Sequence, residues 1–229
     1  LVQLFNDYGV KGTFNLNAGV LGDKGFSEIS GKRTDISKIP KEEVHELYKG
    51  HEIAAHGLYH SFLQNIGTAS AMYELIEDRR ILETLSGKMV RFFAYPFGTY
   101  NENVKTLLKL AGFVGARSVK STHTFSIPTD FLEWHPTCHH NEPELMTLAE
   151  RFCSKPVFDA SLFYLWGHAY EFDADDNWNV MEDFVQYVAQ FTEDIWFASN
   201  IEIADYILAF RQRIYSADGS KIYNPACTD

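Results

Sequence analysis

The stretch Gly50-His51-Glu52-Ile53-Ala54-Ala55-His56-Gly57-Leu58-Tyr59-His60 sets two histidines four residues apart, directly after a short apolar run. Neutral imidazole is the commonest protein ligand for zinc and its neighbours. If 57–60 form a helical turn, the spacing puts both rings on one face, with Cβ atoms roughly 6 Å apart. Two such rings share one ion and leave places for a carboxylate, water and substrate. The same spacing also fits two unrelated polar side chains in a loop. Further along, Pro96-Phe97-Gly98 by itself reads as a plain turn after a strand, and His168 follows Leu165-Trp166-Gly167. Gly167 would let a substrate approach closely. Trp134-His135-Pro136-Thr137-Cys138-His139-His140 is dense in donors. That suits contact with sugar hydroxyls, an extended metal shell or a polar lid loop.

The elements that must position these residues alternate. Leu1–Phe5 reads as the last turns of an amphipathic helix ended by Gly9, and 12–17 as a short strand. Residues 18–38 read as a polar, Gly-rich loop. A helix opens at Pro40 and closes at Gly50; Ile53–Ala55 is a buried strand ending at His56. Thr68–Leu85 is a long helix stopped by Gly87, and Arg91–Tyr95 a strand broken by Pro96. Asn101 caps a helix to Ala111. A strand begins at Phe113, 120–141 is irregular, and Glu142–Ser154 is helical. The strand Ser161–Trp166 delivers His168. A helix over 180–191, a strand over 195–198 and a last helix capped by Asn200 complete the order. This alternation predicts an α/β fold with a parallel sheet and helices outside, in one domain spanning residues 1–229. His56, Pro96-Phe97-Gly98 and His168 all follow strands, and barrels of this class place their sites at the carboxyl ends of strands.

Composition narrows the function. The 229 residues carry 45% apolar side chains and a formal net charge of −11. That balance disfavours nucleic acid and fits a neutral or cationic partner, or simply a solvated acidic surface. No window approaches the ~18 apolar residues of a membrane span, and Leu1 does not open a signal peptide. Aromatic residues reach 15%, enough for sugar-stacking walls as well as core. Cys138, Cys153 and Cys227 form no C-x-x-C pair, which argues against a zinc–thiolate site and leans towards a reducing compartment. A cleaved upstream signal would leave the chain unchanged, so the compartment stays open, as does the oligomeric state.

At these residues the chain resembles the polysaccharide deacetylases, carbohydrate esterase family 4, from about Phe5 to Phe210. Tyr8-Gly9-Val10-Lys11-Gly12-Thr13-Phe14 is similar to the family's "YGVKATFF" strand. Gly50 through His60 is similar to its second motif, Tyr95-Pro96-Phe97-Gly98 to its third and Leu165-Trp166-Gly167-His168 to its fifth. The resemblance implies a distorted (β/α)7 barrel whose first strand lies upstream of Leu1. With that strand go two aspartates, a general base and a third metal ligand. The carboxyl end also reads as clipped. His56 and His60 would be metal ligands. His168 would protonate the leaving amine or alcohol, and Phe97 would line the groove while its N–H helps stabilise the oxyanion. Tyr95, Pro96 and Gly98, Leu165 or Trp166 as a wall for the acetyl methyl, and His139 and His140 complete the expected substrate contacts.

Three departures stand out. Gly57 replaces the Ser or Thr that steadies the histidine loop. Ala94 replaces the arginine that pairs with the catalytic aspartate, leaving Arg91 and Arg117 as substitutes. Asp130-Phe131-Leu132-Glu133-Trp134 resembles the fourth motif only loosely. Glu171, Asp173, Asp175 and Asp176 orient His168, replace a lost carboxylate, or form an acidic surface loop. The resemblance implies a metal-dependent hydrolase removing acetyl groups from an N- or O-acetylated saccharide. Zinc is the default ion, with cobalt, nickel or manganese as alternatives. The competing readings are a family member hydrolysing a non-sugar amide and a non-catalytic carbohydrate-binding module with a degenerate site. Without the upstream aspartates, residues 1–229 are expected to be inactive.

Overall fold

The computed structural model describes residues 1–156 and 160–226. Helix α1 (Val2–Asp7) leads into β1 (Thr13–Leu16), then a hairpin of β2 (Phe26–Ile29) and β3 (Lys32–Asp35). Next come α2 (Val44–Leu47), β4 (Glu52–Ala55), α3 (Thr68–Ser86), β5 (Phe92–Ala94), α4 (Glu102–Leu110) and β6 (Gly115–Arg117). The second half holds β7 (Cys138–His139), α5 (Leu145–Cys153), β8 (Leu165–Trp166), α6 (Ala169–Asp175), α7 (Trp178–Val188) and α8 (Asn200–Arg211). A hairpin, β9 (Ile214–Tyr215) with β10 (Ile222–Tyr223), follows.

The sheet runs β1-β4-β5-β6, with every ladder parallel. A bridge from Arg117 to Trp134 extends it, and β7 pairs in parallel with β8, Cys138 opposite Leu165 and His139 opposite Trp166. Among the described residues no ladder joins β8 back to β1, and what the strands form is a parallel α/β arrangement. Strand side chains alternate faces, and here both faces are covered. Ala55, Phe93 and Ala116 pack with Leu75 and Leu82 of α3 and Leu107 and Leu108 of α4. Ala54 and Phe92 pack on the other face with Trp134 and with Ala204 of α8. Gly87 closes α3 at φ +67°, a left-handed cap that costs glycine nothing, and Asn101 caps α4 by accepting from Val104 N–H at 2.9 Å.

Several expected elements differ. The supposed loop at 18–38 contains the β2–β3 hairpin, whose turn needs positive φ at Ser30 and Gly31. The helix expected from Pro40 to Gly50 is a 3-10 turn followed by the short α2. Strand β6 starts two residues later than expected, at Gly115, and 195–198 forms no strand. Ser199, not Asn200, caps α8: the backbone N–H of Ser199 donates to Glu202 at 2.8 Å. The acidic run after His168 is helix α6 rather than a loop. No helix among the described residues is long and apolar enough to cross a membrane. Cys138 and Cys153 are free, and Cys227 lies outside the described residues.

Candidate active site

Strand β4 delivers His56 to the carboxyl end of the sheet. Its Nδ1–H donates to the Ala94 carbonyl of neighbouring β5 at 2.7 Å, which leaves the Nε2 lone pair for a ligand. Burial pulls its pKa down to about 3, so the ring is neutral at ordinary pH. His60 does not arrive on a helical turn. It sits at φ +59°, after Gly57 at φ +79°, and a loop brings the two rings to 4.6 Å between centroids. The side chains that hold this loop were not legible as functional in the sequence. Asn17 Nδ2 donates to the His56 and Gly57 carbonyls at 2.7 and 2.6 Å. The buried Asp78 of α3 accepts the His56 N–H at 2.9 Å and the Ala18 N–H at 2.7 Å, one on each oxygen. Glu74 accepts the Tyr59 N–H and the Ser61 hydroxyl, both at 2.9 Å. The bracing expected from a Ser or Thr at position 57 therefore comes from Asn17, Asp78 and Glu74, and the positive φ there favours glycine.

Pro96-Phe97-Gly98 is a 3-10 turn with Phe97 in the left-handed region, φ +59°. Its half-exposed ring stacks on Phe62 at 3.7 Å and meets His60 edge-on at 4.5 Å. Gly98 is required because Val119 lies 2.3 Å from where a Cβ would stand. Tyr95 and Pro96 correct the expected substrate contacts. Both are buried, and Tyr95 belongs to the core with its hydroxyl bonded to the Leu132 carbonyl at 2.9 Å. Alternation along β8 separates Leu165, which packs into the core, from Trp166. Trp166 meets His139 at 4.5 Å and His168 at 5.7 Å, and lies under the Arg117 guanidinium at 4.6 Å.

His168 caps α6, and a charge on its ring would act to lower the pKa of both His56 and His60. The β7–β8 pairing brings His139 and His140 beside it. Glu171 lies among them: its Oε1 is 3.1 Å from His168 Nδ1, and its Oε2 is 3.2 Å from His139 Nε2 and 3.6 Å from His140 Nδ1. Burial alone would raise the Glu171 pKa, but contacts from His139 and His168 hold it well below the usual carboxylate range. His140 is enclosed, with neither ring nitrogen hydrogen-bonded, and burial lowers its pKa to about 4. Gly167 makes room for it, since a Cβ there would lie 1.8 Å from His140 Nδ1. His139, His140 and Glu171 offer ligand atoms within 4.8 Å of one another and can hold a metal ion.

The two arginine candidates part company. Arg91 pairs with Asp205 of α8. Arg117 ends β6 directly beside Ala94, is 6% exposed, and has one hydrogen bond, to the Ser118 carbonyl at 3.2 Å. It has no carboxylate partner among the described residues. The acidic residues of the loose fourth-motif match, Asp130 and Glu133, pair instead with Lys105, while Trp134 is buried in the core. Histidines outside the site have structural partners: His135 Nδ1 with Ser118 Oγ at 2.6 Å, and His51 between Gly12 N–H and Asn6 Oδ1, each at 3.1 Å. Glu52 accepts from Thr13 Oγ1 at 2.8 Å and Ile201 N–H at 3.0 Å, tying β1 and β4 to α8.

Residues 1–116 match the sequence pattern of the polysaccharide deacetylases. No curated protein matches the chain. Among solved structures, a Mycobacterium smegmatis protein assigned as a polysaccharide deacetylase superposes with TM-score 0.64 at 15% identity, over 92% of this chain and 76% of its own. The Streptococcus pyogenes deacetylase PplD, solved with acetate, gives TM-score 0.49 at 16% identity over 58% of this chain. A CE4-family pseudoenzyme from Bacillus anthracis gives 0.47 at 16% over 81%. The chain spans about half the length of the last two, 55% and 54%. At such identities the mycobacterial likeness speaks for the fold alone.

Proposed function

Because the chain belongs to the polysaccharide deacetylase family, we propose that it is one catalytic domain, a metal-dependent hydrolase that removes acetyl groups from an N- or O-acetylated saccharide. The observation that carries this reading is the state of His56. Its Nδ1–H is committed to Ala94 and its Nε2 is unprotonated, beside His60 at the end of a buried strand. Neutral imidazoles are donors that a zinc-class ion takes, with cobalt, nickel or manganese as alternatives. The chemistry such an ion supplies is polarisation of the acetyl carbonyl. Asn17, Asp78 and Glu74 hold the two rings in place without taking part. Phe97 and its stacked partner Phe62 form an aromatic wall beside His60 that suits the apolar face of a sugar ring. The Phe97 backbone N–H adds a donor for the oxyanion. His168, across the same space, protonates the leaving amine or alcohol, and Trp166 gives that side of the space its apolar surface.

One observation favours the second reading, a binding module. Among the described residues no third His, Cys, Asp or Glu joins His56 and His60 as a ligand group. Acetate release from acetylated oligosaccharides by zinc-loaded protein separates the two. Release that stops on chelation and falls ~10²–10⁴-fold in His168→Ala supports the hydrolase. Saccharide binding without release, unchanged by chelation and in both His168→Ala and His56→Ala, supports the module.

A further inference from the structure

Glu171 sits at the centre of a cluster that the reaction scheme leaves unused. Its Oε2 accepts the backbone N–H of His168 at 3.0 Å, so carboxylate and histidine share the first turn of α6 and hold each other in place. The tautomer of His139 is also fixed. Asn141 N–H donates to His139 Nδ1 at 3.2 Å, so that nitrogen carries the lone pair and Nε2–H faces Glu171 Oε2 at 3.2 Å. With two donors on Oε2, the other oxygen is left for His168 Nδ1, 3.1 Å away. His168 Nδ1 is buried and makes no aligned hydrogen bond, and catalytic contacts are often misaligned before substrate closes a site.

We propose that Glu171 is the positioning residue of His168. It holds the ring with Nδ1 protonated, stabilises the imidazolium, and leaves Nε2 as the nitrogen that meets the leaving group. His139, anchored by Asn141, keeps Glu171 from turning away. Enclosed and neutral, His140 adds no competing cation on that side. The carboxylate comes from the helix that His168 itself begins. This rests on His168 being the general acid and names what makes it one.

The same residues are also the group that can hold a metal, and the hydrogen bonds decide between the two uses. A metal-bound histidine ordinarily donates its other ring N–H to an acceptor. His139 Nδ1 instead accepts from Asn141, so ligation through Nε2 would require a proton where the Asn141 N–H already points. His56, with Nδ1–H on Ala94, has the arrangement a ligand needs.

Glu171→Gln tests the proposal, because glutamine at the third helical position keeps the cap. Its single oxygen stays with the donors from His168 N–H and His139 Nε2, and its NH2 turns towards His168 Nδ1. Long-range ¹H–¹⁵N spectra of the zinc-loaded protein should show His168 changing from the Nδ1–H to the Nε2–H tautomer while His139 keeps its signature. Glu171→Asp, one methylene short but charged, should keep the Nδ1–H form. In turnover assays kcat should fall on the order of 10²–10⁴-fold with KM little changed, as when a triad carboxylate is made an amide. An unchanged His168 tautomer in Glu171→Gln would overturn the proposal. So would loss of one equivalent of zinc in that variant, which would make the cluster a metal site. The spectra need no turnover, so a tautomer change in a protein that releases no acetate would uphold Glu171's role while removing the deacetylase reading.

Discussion

Arg117→Met isolates the energetic consequence of a buried cation without a carboxylate. The guanidinium is 6% exposed, and burial pushes its pKa down. Removing such a group from water costs several kcal/mol even after local relaxation. Against this stand one hydrogen bond to the Ser118 carbonyl, worth about 1.5–3 kcal/mol for a charged donor, and the face of Trp166, worth about 2 kcal/mol when desolvated. Together the two contacts return about 3.5–5 kcal/mol, which at most balances the penalty. Methionine fills much of the same volume without a charge. In residues 1–229 the substitution should therefore leave the unfolding free energy unchanged or raise it, by at most about 4 kcal/mol, as when buried charged groups give way to packed apolar ones. The melting temperature should rise by roughly 2–4 °C for each kcal/mol in a chain of this size. Urea unfolding of chelated wild-type and variant protein, followed by circular dichroism, measures it. A loss of ~3–5 kcal/mol would refute the reasoning, because that is the signature of breaking a buried ion pair and would mean that Arg117 has a carboxylate partner. If Arg117 orients a catalytic carboxylate, the same substitution lowers turnover in active protein and leaves its metal content intact.

Two further outcomes follow from buried carboxylates. Asp78→Asn should cost about 1–3 kcal/mol and weaken metal uptake, because both oxygens accept backbone N–H groups and an amide NH2 must face one of them; unchanged urea midpoint and zinc affinity would contradict this. Glu52 has its pKa raised by burial from 4.5 to about 7, so the unfolded chain gives up its proton first as pH rises. Its stabilisation is complete below pH 4.5 and is lost as pH passes through about 7. Glu52→Gln should remove that decline and be the more stable protein at pH 8, since the Oε2 that accepts from Thr13 and Ile201 can be kept as the amide oxygen. Parallel stability–pH curves for wild type and variant would refute it.

Strands β1, β4 and β5 and helices α3 and α4 were legible because their signals are local: short apolar runs, a capping Asn101, a stopping Gly87. The β2–β3 hairpin was not, because Lys32, Arg33 and an exposed Phe26 spoil the alternation that marks a half-buried strand. Helix α6 was hidden by its acidic composition, which suggests a solvated loop until Glu171 is seen turned inward to His168. The histidine pair was readable by type and spacing, but the conformation joining the rings was not, since nothing in the residue His60 announces a positive φ. Asp78 carried a usable signal. It falls on the Ala71, Leu75, Leu82 stripe of α3, and a carboxylate on a core-facing stripe must have partners. Those partners are backbone N–H groups as far away in sequence as Ala18, which no local pattern reveals.

Metal stoichiometry tests the central claim most directly. Purified protein, stripped with chelator and reloaded with one equivalent of zinc, is passed through a desalting column, and bound metal is read by mass spectrometry. Wild type and Glu171→Gln should each retain up to one ion per chain, while His56→Ala and His60→Ala should retain essentially none. Equal zinc in wild type, His56→Ala and His60→Ala, with loss confined to Glu171→Gln, would contradict the account and move the metal to the His139–His140–Glu171 cluster.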